Sequence, residues 1–207
     1  MKLYWPSSEM PHGYLCDTPI HLVYRLKGCL PVAVLKELTA ELVDQLVVLR
    51  KQQPLPVDQI EAVKAEYFMK YDELLDAQDQ ALYILANITA IKIVLDSWKT
   101  LHTSGDCKIH AVCVMGNHVH VILCAWPDQA HNQLGPLLAR HKRFTNRTLQ
   151  RAGFSPPNAE PSFWAEGFFD RYVRPGTYEV VFDYLLNNPV KAGLNADRRK
   201  WKGLWIP

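Results

Sequence analysis

Between residues 18 and 28, Ile20, Leu22, Tyr24 and Leu26 alternate with His21, Val23, Arg25 and Lys27. Alternation puts each set on its own face of a β-strand. Leu30-Pro31 ends the run, and the period then changes. Val34, Leu35, Leu38, Leu42, Leu46 and Leu49 recur at helical spacing until Pro54 and Pro56 interrupt them. A second helix is predicted over 58–75, where Ile60, Val63, Tyr67, Tyr71 and Leu74 step by three and four. A third, over 80–101, is apolar on more than one side and reads as a core helix.

Two strands follow, "KIHAVCVM" and "HVHVILC", joined by Gly116-Asn117. A two-residue link with glycine first predicts a hairpin turn of the mirror-image type, in which the glycine takes a positive φ. Pairing across it sets Met115 against His118 and Cys113 against His120, all on one face. The run "LGPLLARHKRFTNRTLQRAG" predicts an amphipathic helix with Leu137, Leu138, His141, Phe144, Thr148 and Leu149 towards one side. Residues 167–174 read as a last strand. A final helix opens at Thr177, a cap with Glu179 in the first turn, and is expected to stop near Asn188, because the residue before Pro189 is disfavoured in helical geometry.

Setting aside the helical hairpin at 31–76 and the last helix leaves βαββαβ, the order of an α+β ferredoxin-like fold with an antiparallel sheet. The strand that begins at His118 is then central, beside the first strand. At 207 residues the chain suits one domain, 1–207, with 31–76 inserted into it.

Charge sharpens this division. The net charge is only +2, yet residues 31–106 hold twelve acidic and seven basic side chains, and residues 107–207 hold seven acidic and thirteen basic. Any polyanion-binding surface therefore belongs to the C-terminal half. No charged segment leads into an apolar run at the start, and the apolar stretch 81–94 is too short and too interrupted to span a bilayer. The five cysteines are odd in number and irregularly spaced, which fits reduced thiols in a cytoplasm.

Candidate chemistry gathers at "VMGNHVHVIL" and "TYEVVFDYLLNNPVKAGL". Histidines two apart on a strand share a face. They either offer two imidazole nitrogens to one divalent ion or form a satisfied pair in a half-buried sheet, and the motif alone leaves both open. Tyr184 and Asn188, four apart, share a helix face and place a phenol beside an amide whose oxygen can ligate an ion.

With "HKRFTNRTL", "FWAEGFFDRYVR", "YRLKGCLP" and "EYFMKYDELLD", these segments resemble the single-tyrosine HUH transposases, and in particular the REP-associated tyrosine transposases, over most of the chain from residue 18 to 205. HUH denotes histidine, hydrophobic, histidine, here His118, Val119 and His120. The resemblance implies Tyr184 as nucleophile, Asn188 as third metal-ligand position, and a 5′-phosphotyrosine intermediate on single-stranded DNA beside a hairpin or palindromic repeat. Two departures are Gly116, where the family usually has proline, and the loop "AWPDQAHNQLGP".

Imidazole and oxygen donors with open positions suit Mg²⁺ or Mn²⁺, whereas a Cys113 thiolate beside the histidines would favour zinc and a hydrolytic site. For DNA the candidate contacts are Arg140, Lys142, Arg143 and Arg147, in a row that continues to Arg151, and Arg171, Arg174 and Lys191 around the nucleophile helix. The C-terminal "DRRKWKGLW" either stacks on bases or packs its tryptophans on the core. The acidic hairpin at 31–76 either buttresses the sheet or pairs with a second chain, so a homodimer stays open. A binding protein for structured DNA repeats, with catalysis secondary, is the main competing function.

Overall fold

The computed structural model describes residues 14–78, 83–127 and 132–207. Its centre is an antiparallel sheet of five strands: β2 (Ile20–Arg25), β3 (Lys108–Val114), β4 (His118–Cys124), β6 (Phe169–Tyr172) and β7 (Leu204–Trp205), in the order β6-β2-β4-β3-β7. Without β7 this is the ferredoxin-like order, and β4 is central as expected. Two short strands, β1 (Tyr14–Leu15) and β5 (Asn132–Gln133), pair separately.

Every residue of β4 is buried, so both faces of the sheet are covered. Val119, Val121 and Leu123 point into the larger core, which α3 (Ile88–Thr103) and α4 (Leu134–Arg151) close with Ile91, Trp98, Leu138 and Leu149. On the opposite face Ile122 packs with Ala111, Cys113 and Met115 against Val181, Leu185 and Leu186 of α5 (Tyr178–Lys191). His118 and His120 share that second face.

The helical hairpin is α1 (Val32–Arg50) and α2 (Val57–Asp76). Leu38, Leu42 and Leu46 of α1 are buried, as are Ile60 and Tyr67 of α2, which joins the two helices. A second stripe of α2, Phe68, Tyr71, Asp72 and Leu75, is buried as well. Phe68 stacks on Phe169 of β6 with ring centroids 4.8 Å apart and meets His21 edge-on at 5.2 Å. The hairpin is thereby laid over the histidine-bearing face.

Several local expectations need correction. The third helix begins at Ile88, where the Asn87 side chain accepts from Thr89 N–H at 2.9 Å; the start anticipated at residue 80 falls in 79–82, outside the described residues. The β3–β4 register is as expected, with Cys113 opposite His120 and Met115 N–H donating to the His118 carbonyl at 2.9 Å. Gly116, however, does not take a positive φ, so the turn is not of the mirror-image type. Glycine is needed there for space, since a Cβ would run into the Tyr83 ring.

Thr177 precedes α5, but its hydroxyl bonds back to the Arg174 carbonyl at 2.9 Å and leaves the helix uncapped by a side chain. That helix continues through Pro189 to Lys191. A proline in the last turn forfeits one N–H bond, while Ala192 N–H still reaches the Asn188 carbonyl at 2.9 Å. Phe144 is exposed, and Thr145 takes the inward position instead. The C-terminal segment packs, with β7 adding a fifth strand and Trp201 Nε1–H donating to the Val114 carbonyl at 2.9 Å. Four residues of the loop that departs from the family pattern, 128–131, lie outside the described ones.

The larger core contains a polar network. Trp98 Nε1–H donates to the Tyr24 hydroxyl at 2.9 Å, that hydroxyl lies 2.6 Å from His141 Nε2, and Ser97 Oγ lies 2.9 Å from His141 Nδ1. Burial, and then the Lys142 charge, push His141 down to about 3. Below the unfolded value of 6.5 the unfolded chain binds this proton and the folded one does not, so this term lowers stability as pH falls from 6.5 towards 3. His141→Phe is expected to cost about 1–3 kcal/mol at pH 7 by orphaning Tyr24 and Ser97. Because the variant lacks the proton term, the gap to wild type should narrow by about 2 kcal/mol at pH 5. Urea unfolding at both pH values checks this, and parallel losses would contradict it.

Candidate active site

Three elements converge on the second face of the sheet. From β4 come His118 and His120, both buried, with Val23 and Arg25 of β2 as register partners of His120 and His118. α5 supplies Asn188, buried, and Tyr184, half-buried. α2 supplies Asp72, buried completely although it is a carboxylate. His118 Nε2 and His120 Nε2 are 2.9 Å apart, and Asp72 Oδ1 lies 3.1 Å from His120 Nε2 and 3.5 Å from His118 Nε2. Asn188 Nδ2 lies 3.1 Å from His120 Nε2. The Tyr184 hydroxyl donates to Asp72 Oδ2.

The surrounding shell orients these groups. Asn117 Nδ2 donates to the Leu75 carbonyl of α2 at 2.9 Å, which turns Asn117 Oδ1 towards His118 Nδ1 at 2.7 Å. An amide oxygen only accepts, so His118 carries its proton on Nδ1 and presents a bare Nε2 to the cluster. His120 Nδ1 faces His21 Nε2 at 3.1 Å, and donation along that line bares His120 Nε2 likewise.

Burial, reinforced by His120, pushes His118 down to about 3, so its imidazole is neutral at any ordinary pH. His21 is lowered well below its usual value by burial and then by His120. Burial works to raise the Asp72 carboxyl, but His120 and then the Tyr184 hydroxyl outweigh it and hold the group well below the usual carboxylate range. Burial and the Asp72 charge push the Tyr184 phenol up. Asp76 rises to about 6 through burial and the Asp72 charge. The Lys191 ammonium, 3.9 Å from both Asp72 and Asp76, marks the outer edge of the cluster.

The donor set fits a divalent cation. Asp72, His118 and His120 form a buried group whose ligand atoms lie within 4.8 Å of one another. Three buried oxygens, Asp72 Oδ1, Asn188 Oδ1 and Asp76 Oδ2, have no hydrogen-bond partner among the described residues. Orphaned oxygens beside bare imidazole nitrogens are costly unless a cation satisfies them. Cys113 stands outside the group although it is the register partner of His120. Burial pushes its thiol up, and its Sγ lies 3.6 Å from Met115 Sδ.

The basic residues separate into groups. Arg143, Arg147 and Arg151 are exposed along α4 with no ion-pair partner among the described residues, beside the exposed Phe144 ring. Arg140, though exposed, is engaged by Asp106 at 2.5 Å. Lys142 does not belong to this row. Its ammonium turns inward to the Ala165, Glu166 and Gly167 carbonyls at 2.8, 3.4 and 3.2 Å, and burial, then Arg25, lower it to about 7. Near the cluster, Arg171 lies 5.2 Å over the Phe68 ring and Lys191 5.7 Å over the Tyr184 ring. Arg174 pairs with Glu61 at 3.5 Å.

Three residues of the cluster escaped the sequence reading: Asp72, His21 and Asn117. The available signal for Asp72 was an acid on the otherwise apolar stripe of Phe68, Tyr71 and Leu75. For His21 it was a polar residue in phase with Val23 on a buried strand.

No protein-family model and no curated protein matches the sequence. Among solved structures, a second transposase-like protein, from Deinococcus radiodurans R1, aligns at 14% identity over 87% of this chain and 97% of its own, with a TM-score of 0.43, below the level at which a shared fold follows. A REP-associated tyrosine transposase bound to a REP hairpin aligns at 14% identity over 94% of this chain and 79% of its own, with a TM-score of 0.52. The chain thus has the fold of a REP-associated tyrosine transposase, as its motifs lead one to expect.

Proposed function

We propose that this protein is a metal-dependent single-stranded DNA transesterase of the single-tyrosine HUH kind, which nicks and rejoins DNA beside a hairpin or palindromic repeat. The observation that carries the reading is the meeting of the Tyr184 phenol with the nitrogens of His118 and His120 through one carboxylate. The transposase fold, and a solved relative of that fold bound to a REP hairpin, support it. The whole chain acts as one domain, with 31–76 as an insertion that reaches the site.

His118, His120 and Asn188, with Asp72, would hold Mg²⁺ or Mn²⁺. Such an ion, when bound, neutralises a phosphate oxygen and keeps the phosphorus open to in-line attack. The chain's own groups do the rest. Tyr184 Oη, passing its proton to Asp72 Oδ2, forms the bond to the 5′ phosphorus while the bond from phosphorus to the 3′ oxygen breaks, and that oxygen leaves as a 3′ hydroxyl after taking a proton from solvent. Bond energy is kept in the phosphotyrosine, so a new 3′ end can reverse the step without a nucleotide cofactor. Arg171 and Lys191, at the open edge beside Tyr184, are placed to meet the cleaved strand. Arg143, Arg147 and Arg151 follow the phosphates of a hairpin stem, and Phe144 offers a stacking surface.

No helix among the described residues is long and apolar enough to cross a membrane, and a cytoplasmic enzyme meeting DNA accords with five free cysteines. A hairpin oligonucleotide with a single-stranded flank and Mn²⁺ should give a covalent protein–DNA adduct that Tyr184→Phe abolishes; an adduct surviving that change removes the nucleophile assignment. The double variant His118→Ala, His120→Ala should bind the hairpin but form no adduct. If it supports the cellular function fully, the protein is a binder of structured repeats instead. Replacing Arg143, Arg147 and Arg151 by glutamine should weaken hairpin binding and reduce the salt slope of log Kd by about 2 to 3, read from binding isotherms at several salt concentrations.

A further inference from the structure

The insertion is joined to the cluster by four links of different kinds. Asp72 Oδ1 faces both imidazoles, and Asp72 Oδ2 accepts the Tyr184 hydroxyl. From β4's side, the Asn117 amide donates to the Leu75 carbonyl of α2 and with its oxygen sets the His118 tautomer. At the outer edge Lys191 of α5 lies within 3.9 Å of Asp72 and Asp76. Phe68, one turn before Asp72, is wedged among His21, Phe169 and Tyr184, with ring centroids 5.2, 4.8 and 5.8 Å away. A carboxylate with no exposed surface, sharing one oxygen with the ion ligands and the other with the phenol, cannot shift without moving both.

We infer that Asp72 is a bridging residue that ties ion binding to the aim of the Tyr184 nucleophile, which makes the acidic helical insertion a working part of the active site. Through Oδ1 it joins His118 and His120 around the ion; through Oδ2 it fixes the phenol. Loading the ion draws Asp72 inward, clamps α2 onto the sheet and thereby sets Tyr184 for attack. In the absence of the ion, α2 is held by its apolar stripe, the Asn117 bond and the contacts of Tyr184 and Lys191 with Asp72 and Asp76, and the pull of the ion is missing. This role rests on the proposed transesterase reading for its catalytic half only, because the clamping of α2 by an ion is independent of the reaction.

The test uses the full chain freed of metal by chelation. Calorimetric titration with Mn²⁺ is expected to show Asp72→Asn binding more weakly by about tenfold or more, the scale seen for groups that support a metal site. Hydrogen exchange of the wild type should show the amides of α2 protected when Mn²⁺ is added. In single-turnover adduct formation with saturating hairpin DNA and Mn²⁺, Asp72→Asn should be slower by about 100-fold, the cost of a nucleophile misplaced by about 1 Å, with the affinity for DNA unchanged. Mn²⁺ affinity and adduct rate equal to wild type in Asp72→Asn would overturn the inference and leave the transesterase reading standing. Unaltered exchange of α2 on adding Mn²⁺ would also overturn it, and that measurement needs no variant to fold. Weakened Mn²⁺ binding in a protein whose wild type forms no adduct would leave the clamp and remove the transesterase.

Discussion

A carboxylate buried to zero exposure dominates the energetics of this structure. Removing an uncompensated charge from water costs several kcal/mol even after the protein relaxes, so Asp72 requires partners. It has a phenol hydroxyl on one oxygen, imidazole nitrogens beside the other, and an ammonium at 3.9 Å whose own side chain is 38% exposed. His118 is held neutral by burial and adds no charge. The cluster is thus electron-rich, with three buried oxygens that lack a hydrogen-bond partner among the described residues and little positive charge of its own, which suits a cation.

The rest of the architecture serves that arrangement. A central β4 buried on both faces presents alternate residues to two environments: an apolar core on one side and the ion ligands on the other. The network around His141 stiffens the first side. On the second, α5 brings a phenol and an amide one turn apart, and α2 brings a carboxylate to both histidines and the phenol. Beside the cluster stand Tyr184 and two cations, Arg171 over the Phe68 ring and Lys191 over the Tyr184 ring.

The local periodicities were legible in the sequence because each face of a strand or helix had to be consistently apolar or consistently polar. The Cys113–His120 register followed from turn length, and the Tyr184–Asn188 pair followed from helical spacing. What stayed hidden depended on contacts between distant segments. Tyr83, thirty-three residues before Gly116, explains that glycine by space rather than by backbone conformation. Lys142 sits in a row of cations, but three carbonyls of a later loop claim it. Asp72 broke an apolar stripe, yet only the docking of α2 on β4, through Phe68 and Asn117, gives that break a chemical meaning. The continuation of α5 past Pro189 reflects the small loss of one hydrogen bond in a final turn that packing already holds.

The central claim is that one ion site and one phenol meet across three elements of the chain. A crystal structure of the full chain grown with Mn²⁺ tests it most directly, through the anomalous signal of the metal. The account predicts a single strong peak among His118 Nε2, His120 Nε2, Asp72 Oδ1 and Asn188 Oδ1, with the Tyr184 hydroxyl on Asp72 Oδ2 beside it. A peak elsewhere, or an ion at the histidines with α2 and Tyr184 turned away from it, would contradict it.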